Sequence, residues 1–166
     1  CYKWATCTSC GNPTTGNDLT LQGIIDFTVP AGGSSGKAIH LKVHNNISDL
    51  SVYGIGVANN GGGTDSVEYI FPNISVTAGE EILLARDTVE MAMYFDSCYS
   101  NFHRIIQATS DISQNGDDAI ELFHNGTVIE TFGDINVDGS GEPWEYMDSW
   151  AYKLGPTVGS IGLGPN

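Results

Sequence analysis

The stretch AIELFHNGTVIETF, residues 119–132, holds two apolar runs separated by little more than Asn125-Gly126. A two-residue connection between strands is a type I′ turn, whose central residues both need positive φ, and Asn-Gly is the pair that tolerates this best. An antiparallel hairpin is therefore predicted, with Phe123 opposite Val128 and Leu122 opposite Ile129. The same register sets Glu121 across from Glu130. Like charges directly opposed are unfavourable, so a cation, a lysine or water is expected to screen them.

With one hairpin fixed, much of the remaining chain reads in the same way. LTLQGIIDFTV forms a strand closed by Pro30 and the flexible AGGSSG. In KAIHLKVH, Ile39, Leu41 and Val43 share one face while His40, Lys42 and His44 take the other, the pattern of a half-buried antiparallel strand. DLSVYGIGV and SVEYIFP are further strands, and ISVTAGEEILLAR reads as two strands around Ala78-Gly79-Glu80. Only DTVEMAMYFDSCYSNF has room for a helical turn or two. A chain of 166 residues, 40% hydrophobic and only 16% charged, suits one folded domain with a sizeable core. That domain is expected over residues 19–153, between a Cys-rich N-terminal arm (1–18) and a Gly-rich C-terminal arm (154–166).

Net charge is −14, from 20 acidic against six basic residues. Phosphate binding depends on Lys and Arg displacing counterions, so nucleic acid is a poor partner. Cations, and surfaces that cations bridge, are better ones, although acidity also serves solubility. No apolar run approaches the roughly 20 residues that span a bilayer. The chain starts at Cys1, which suggests a processed or a trimmed form. Asn46, Asn73 and Asn125 open N-x-[ST] triplets, so an extracellular glycoprotein is expected. Cys1, Cys7, Cys10 and Cys98 allow two disulfides in three connectivities, and one to Cys98 would staple the N-terminal arm to the body. Closing so long a loop is worth about 4 kcal/mol in the chain-entropy model.

DINVDGSGEPWE, residues 134–145, matches the spacing of an EF-hand calcium loop through Asp134, Asn136, Asp138, Gly139 and Glu145. Hard calcium takes six to eight oxygens, which alternate side chains can supply around a glycine turn. The segment that enters it is a hairpin strand rather than a helix, and Pro143 stands where the outgoing helix would begin. The helical fold is rejected, leaving a calcium-binding turn between strands with Asp134, Asn136, Asp138, Glu142 and Glu145 as candidate ligands. Catalytic patterns fare worse. Gly32 to Gly36 has the form G-x-S-x-G but joins two strands, whereas a nucleophile elbow needs a helix after it. His40 and His44 on a strand would lie about 13 Å apart, too far for one ion. Asp117-Asp118, Asp134, Asp138 and Glu142 could pair carboxylates but have no evident cleft. Trp144, Tyr146, Trp150 and Tyr152 would share one side of an extended segment, where Trp144 and Trp150 could stack on a sugar or simply pack in the core.

LQGIIDFTVP, DLSVYGIGVANNGGGTDSVEYIFP and QNGDDAIELFHNGTVIETFGDINVDGSGEPWEYMDSWAYK together resemble the lamin-tail-domain superfamily, most closely its secreted branch, from about Leu19 to Lys153. The resemblance implies an immunoglobulin-like β-sandwich and a non-catalytic module. It also implies that DGSGEPWEYMDSWAYK is a family signature that needs no metal. A secreted structural or adhesive module is expected, associating with copies of itself or with matrix and glycans, in an extracellular assembly or filament. A calcium- or carbohydrate-binding module is the alternative, and a secreted hydrolase a remote one. Tyr2, Trp4, Val158, Ile161 and Leu163 give both arms apolar character, suited to adding a strand to the sheet edge of a neighbouring copy or folding back on their own domain.

Overall fold

The structure, a computed structural model, describes residues 17–153 and the backbone of residues 161–163. Leu19–Phe27 (β1) turns into Gly36–Val43 (β2), and after a 3-10 turn the chain forms Tyr53–Ala58 (β3) and the two-residue strand Tyr69–Ile70 (β4). Glu81–Ala85 (β5), the helix Thr88–Phe95 (α1) and Arg104–Gln107 (β6) follow. Ala119–His124 (β7) and Thr127–Phe132 (β8) are the hairpin, and Ser149–Lys153 (β9) and Ile161–Leu163 (β10) end the described chain. Among the described residues these strands make two sheets, one ordered β10-β9-β1-β2-β5-β6 and one ordered β4-β3-β7-β8.

The two sheets enclose the main core. Leu19, Leu21 and Ile24 of β1, Ile39, Leu41 and Val43 of β2, and Ile82 and Leu84 of β5 meet Tyr53, Ile55 and Val57 of β3 and Ile120 and Leu122 of β7. β2, β3, β5 and β7 contribute every second residue, as period-two alternation requires, and β1 does so on either side of a register shift between Leu21 and Gly23. The expected all-β, two-layer architecture is thus present.

Strand β2 departs from its expected half-buried state. Its second face is also covered: Ala38 and His40 are buried, and Ile25, Ala38, Leu83 and Ala85 pack against Met91 and Phe95 of α1 and against Phe102. The helix owes its place to topology. β5 and β6 run parallel, parallel neighbours need a long crossover, and residues 86–103 supply one. Asp87 starts the helix by accepting from the backbone N–H groups of Val89 (2.9 Å) and Glu90 (3.2 Å), an N-cap worth about 1 kcal/mol.

The hairpin turns at Asn125 (φ 49°) and Gly126 (φ 74°), and Phe123 pairs with Val128. Beyond that point the expected register is wrong. A bulge makes Ile129 an extra residue, so Leu122 faces Glu130 and Glu121 faces Thr131. The like-charged pair never forms. Glu130 instead turns inward, where it accepts from the backbone N–H of Leu21 at 2.8 Å and from Lys153 Nζ. Glu121 accepts from Thr64 Oγ1 at 2.5 Å. Elsewhere, ISVTAGEEILLAR yields one strand, β5, plus a single bridge from Val76 to Ile47. Residues 161–163, expected outside the domain, pair antiparallel with β9 of their own chain. Expectations for the rest of both arms, with Cys1, Cys7 and Cys10, fall outside the described residues.

Candidate functional site

The four histidines are placed by structural contacts. His40 Nε2 lies 2.8 Å from Glu81 Oε2, and its ring meets Phe102 edge-on. His44 Nε2 lies 2.8 Å from Thr20 Oγ1, His103 Nδ1 accepts from the Glu81 backbone N–H at 3.0 Å, and His124 stacks on Tyr53. His40 and Glu81 pull each other's proton in opposite senses. Burial holds the imidazole below its usual pKa against the raising effect of Glu81. Burial would raise Glu81, yet bonds and charge from His40 and Lys42 leave it lowered. The burial of the ring is nearly complete, so the pair is assigned as a neutral imidazole donating to a carboxylate.

A pH dependence follows. His40 takes up a proton in the unfolded chain near pH 6.5 but resists it when folded, so its contribution is intact above about pH 6.5 and lost as pH falls through that value. Glu81, lowered in the fold, acts in the same direction below its own unfolded value. Urea unfolding is therefore expected to show stability falling from pH 7 to pH 5 by up to about 1.4 kcal/mol per pH unit. His40→Asn should flatten that slope. An unchanged slope in the variant would remove His40 from the account.

The polar groups concentrate at the end of the sandwich where β1 turns into β2. Lys37 Nζ donates to Asp26 Oδ1 at 2.6 Å and to the Gln114 carbonyl oxygen, with both partners of the ion pair about nine-tenths buried. Asp117 and Asp118 are buried beside them on the approach to β7. Asp118 accepts from the backbone N–H groups of Asn60 (2.8 Å) and Asn115 (3.0 Å). The loop 133–148 lies across this segment. Gly139 N–H donates to the Asp117 carbonyl at 2.9 Å, Tyr146 N–H to the Gly116 carbonyl at 2.7 Å, and Tyr146 hydroxyl to the Asp118 carbonyl at 3.0 Å. Gly139 must be glycine: a Cβ there would stand 2.5 Å from the Trp144 ring and 2.6 Å from the Asp117 carbonyl oxygen.

Burial pushes up the carboxyl of Asp118 despite its two backbone donors. Asp117 is raised by burial, and further by the charges of Asp138, Glu145 and Asp26. Tyr146, fully buried, is raised well above its usual value by burial and then by Asp118, Asp26 and Asp117.

The suspected calcium ligands are occupied in turns. Asp134 Oδ1 accepts from Asn136 N–H at 2.9 Å, Asp138 Oδ1 from Ser140 N–H at 3.0 Å, and Glu145 Oε2 from Gly141 N–H at 3.0 Å. Glu142 is exposed, and its backbone N–H donates to Gly139. Among the described residues no three His, Cys, Asp or Glu side chains stand together as a ready metal set. The aromatics part company as well, because 134–148 is a succession of turns and only 149–153 is extended. Tyr146 is buried in the main core, Trp144 packs edge-on against Phe132, and Trp150 packs against the second cluster with Met91 and Phe95. Ser34 lies in the loop between β1 and β2, as its strand-flanked context predicts.

Asn46, Asn73 and Asn125 are all exposed, and they gather at the opposite end of the sandwich. Asn73 Nδ2 donates to Asp49, Asn46 Oδ1 accepts from Ala78 N–H, and Asn125 N–H donates to the Val52 carbonyl. Cys98, half-buried beside the second cluster, is disulfide-bonded. No described helix is long and apolar enough to cross a membrane.

Sequence reasoning missed the buried status of Asp117, Asp118, Asp26 and Lys37. The only available signal was Asp117-Asp118 standing immediately before an apolar strand after a glycine. In comparison with protein families, curated proteins and solved structures, the chain matches none.

Proposed function

We propose that this chain is a non-catalytic, extracellular structural or adhesive module, an immunoglobulin-like sandwich of the lamin-tail kind, that associates with copies of itself. The carrying observation is the β6 edge. β6 ends its sheet, Ile105 on it is exposed, and α1, which packs beside it, exposes Val89 (67%) and Met93 (65%). An edge strand with an apolar border is a template for pairing with another chain. N-linked glycans at Asn46, Asn73 and Asn125 would sit together at one end of the domain. The histidines support a non-catalytic reading, since His40, His44, His103 and His124 all serve neighbouring strands.

Size-exclusion chromatography with light scattering, followed by negative-stain microscopy, tests this on the full chain. The expected result is an oligomer that Ile105→Lys together with Met93→Lys converts to monomer at an unchanged melting temperature. A wild-type protein that stays monomeric at high concentration would sink the proposal. An oligomer indifferent to both substitutions would move the interface elsewhere.

A further inference from the structure

We infer that the outer face of the six-stranded sheet carries a docking slot above Gly23, and that its occupant is the Trp4 ring of the chain's own N-terminal arm. The inference stands independently of self-association.

The slot follows from register. Gly23 pairs with His40 of β2 on one side and with Tyr152 of β9 on the other. Directly paired residues point to the same face. Here that face is the outer one, because the neighbouring Ile24, Ile39 and Ala151 all enter the main core. Gly23 has no side chain to fill the middle of the row. The Tyr152 and His40 rings rise on either side of it, with centroids 6.4 Å apart and planes 27° from parallel. Two van der Waals contacts of about 3.5 Å add to about 7 Å, so the spacing matches one flat group held between two rings. Phe102, edge-on to His40 at 5.2 Å, closes a third side. Gly23 is nonetheless buried, and His40 is only 5% exposed. Interiors are close-packed, so a buried row that lacks its middle side chain calls for a filler from another segment.

A covalent tether names the segment. Cys98 packs against the same cluster that holds Phe102 and is disulfide-bonded, and the chain's other cysteines are Cys1, Cys7 and Cys10. A bond to any of the three fastens the arm beside the slot. The seven residues from Cys10 to Asn17 reach up to about 23 Å. That exceeds the two strand spacings of about 4.8 Å and the one layer of about 10 Å between β1 and the crossover. Trp4 lies three residues from Cys1 and from Cys7 and six from Cys10, so each pairing brings it within reach. Its ring is flat on both faces, as the slot requires. Charge agrees. Residues 1–10 contain Lys3 and no acidic residue, whereas all 20 acids occur from Asp18 onward, so the arm is drawn to the body.

Hydroxyl-radical footprinting of the full chain, read by mass spectrometry, tests this. Trp4 should react several-fold more slowly in the native protein than in urea, and Tyr2 should be protected less. Gly23→Val puts a side chain into the slot and should restore the reactivity of Trp4. Should that variant fail to fold, Trp4→Ala decides. It should raise Tyr152 oxidation several-fold and let the His40 pKa, held low by burial, rise in an NMR titration. Trp4→Phe should largely reverse both effects. The inference is overturned if native Trp4 reacts as fast as in urea, or if its protection survives Gly23→Val. Tyr152 and His40 indifferent to Trp4→Ala would also overturn it, as would protection of Tyr2 in place of Trp4. Protection that grows with protein concentration would seat a neighbouring copy's arm there and overturn the assignment to the chain's own.

Discussion

Lys37→Met is expected to cost about 3–5 kcal/mol of folding free energy, enough to leave many domains of this size marginal. The substitution keeps most of the aliphatic volume and removes the ammonium. Asp26, only 6% exposed, is then a buried charge without a counterion, and the Gln114 carbonyl loses its donor. Asp117 adds repulsion, since its charge already bears on that of Asp26. The pair itself is worth far less than its breakage costs, because desolvating two ions offsets most of their attraction. Adding Asp26→Leu to Lys37→Met should therefore recover most of the loss. Urea denaturation of both variants at pH 7 measures this. A single-mutant loss below about 1 kcal/mol would mean that water reaches the pair and screens it.

Gly116→Ala should be nearly as damaging, by about 3 kcal/mol or more. Gly116 has φ +99°, and a Cβ there would stand 2.3 Å from Met147 Cα and 2.6 Å from its nitrogen. Both are backbone atoms that cannot swing aside as a side-chain tip would. The loop must lift, breaking the bond from Tyr146 N–H to the Gly116 carbonyl and unseating a side chain that is 1% exposed. Gly141→Ala is the control. Its φ of +79° is equally unsuited to alanine, but no atom lies within 4 Å of the added methyl. It should cost only about 1–2 kcal/mol. Thermal melting separates the two, and equal losses would mean that backbone strain alone, and not the clash, sets the cost.

Local chemistry was legible in the sequence and tertiary chemistry was not. Asn125-Gly126 announced its turn because the two residues that need positive φ are themselves the signal. The bulge at Ile129 left no mark, since the partners of the neighbouring Glu130, Leu21 N–H and Lys153, lie 109 and 23 residues away. His40 and Lys42 read as a solvent face because alternation reports polarity, not exposure. Glu81 of the neighbouring strand satisfies both and allows that face to be covered by Phe102 and the crossover. DINVDGSGEPWE has the spacing of a calcium loop, yet Asp134, Asp138 and Glu145 each accept from a turn N–H of the same loop. The bonds that lay this loop over Gly116 and Asp117 join segments more than twenty residues apart, which local pattern does not report.

The four sheet borders are not equivalent, and this limits how copies of the domain can join. β10 forms one border with only three residues, and β4 another with only two. β8 is kinked by its bulge and carries Glu130 turned inward, a device that discourages an incoming strand. β6 alone among the described strands offers a longer, unkinked border. A building block with one such border has a valence of one. Two copies that meet β6 to β6 about a two-fold axis consume it, merging their six-stranded sheets into one continuous sheet and stopping there. Edge pairing among the described strands therefore counts to two, and a filament built on them has to recruit a second, chemically different contact for every further step.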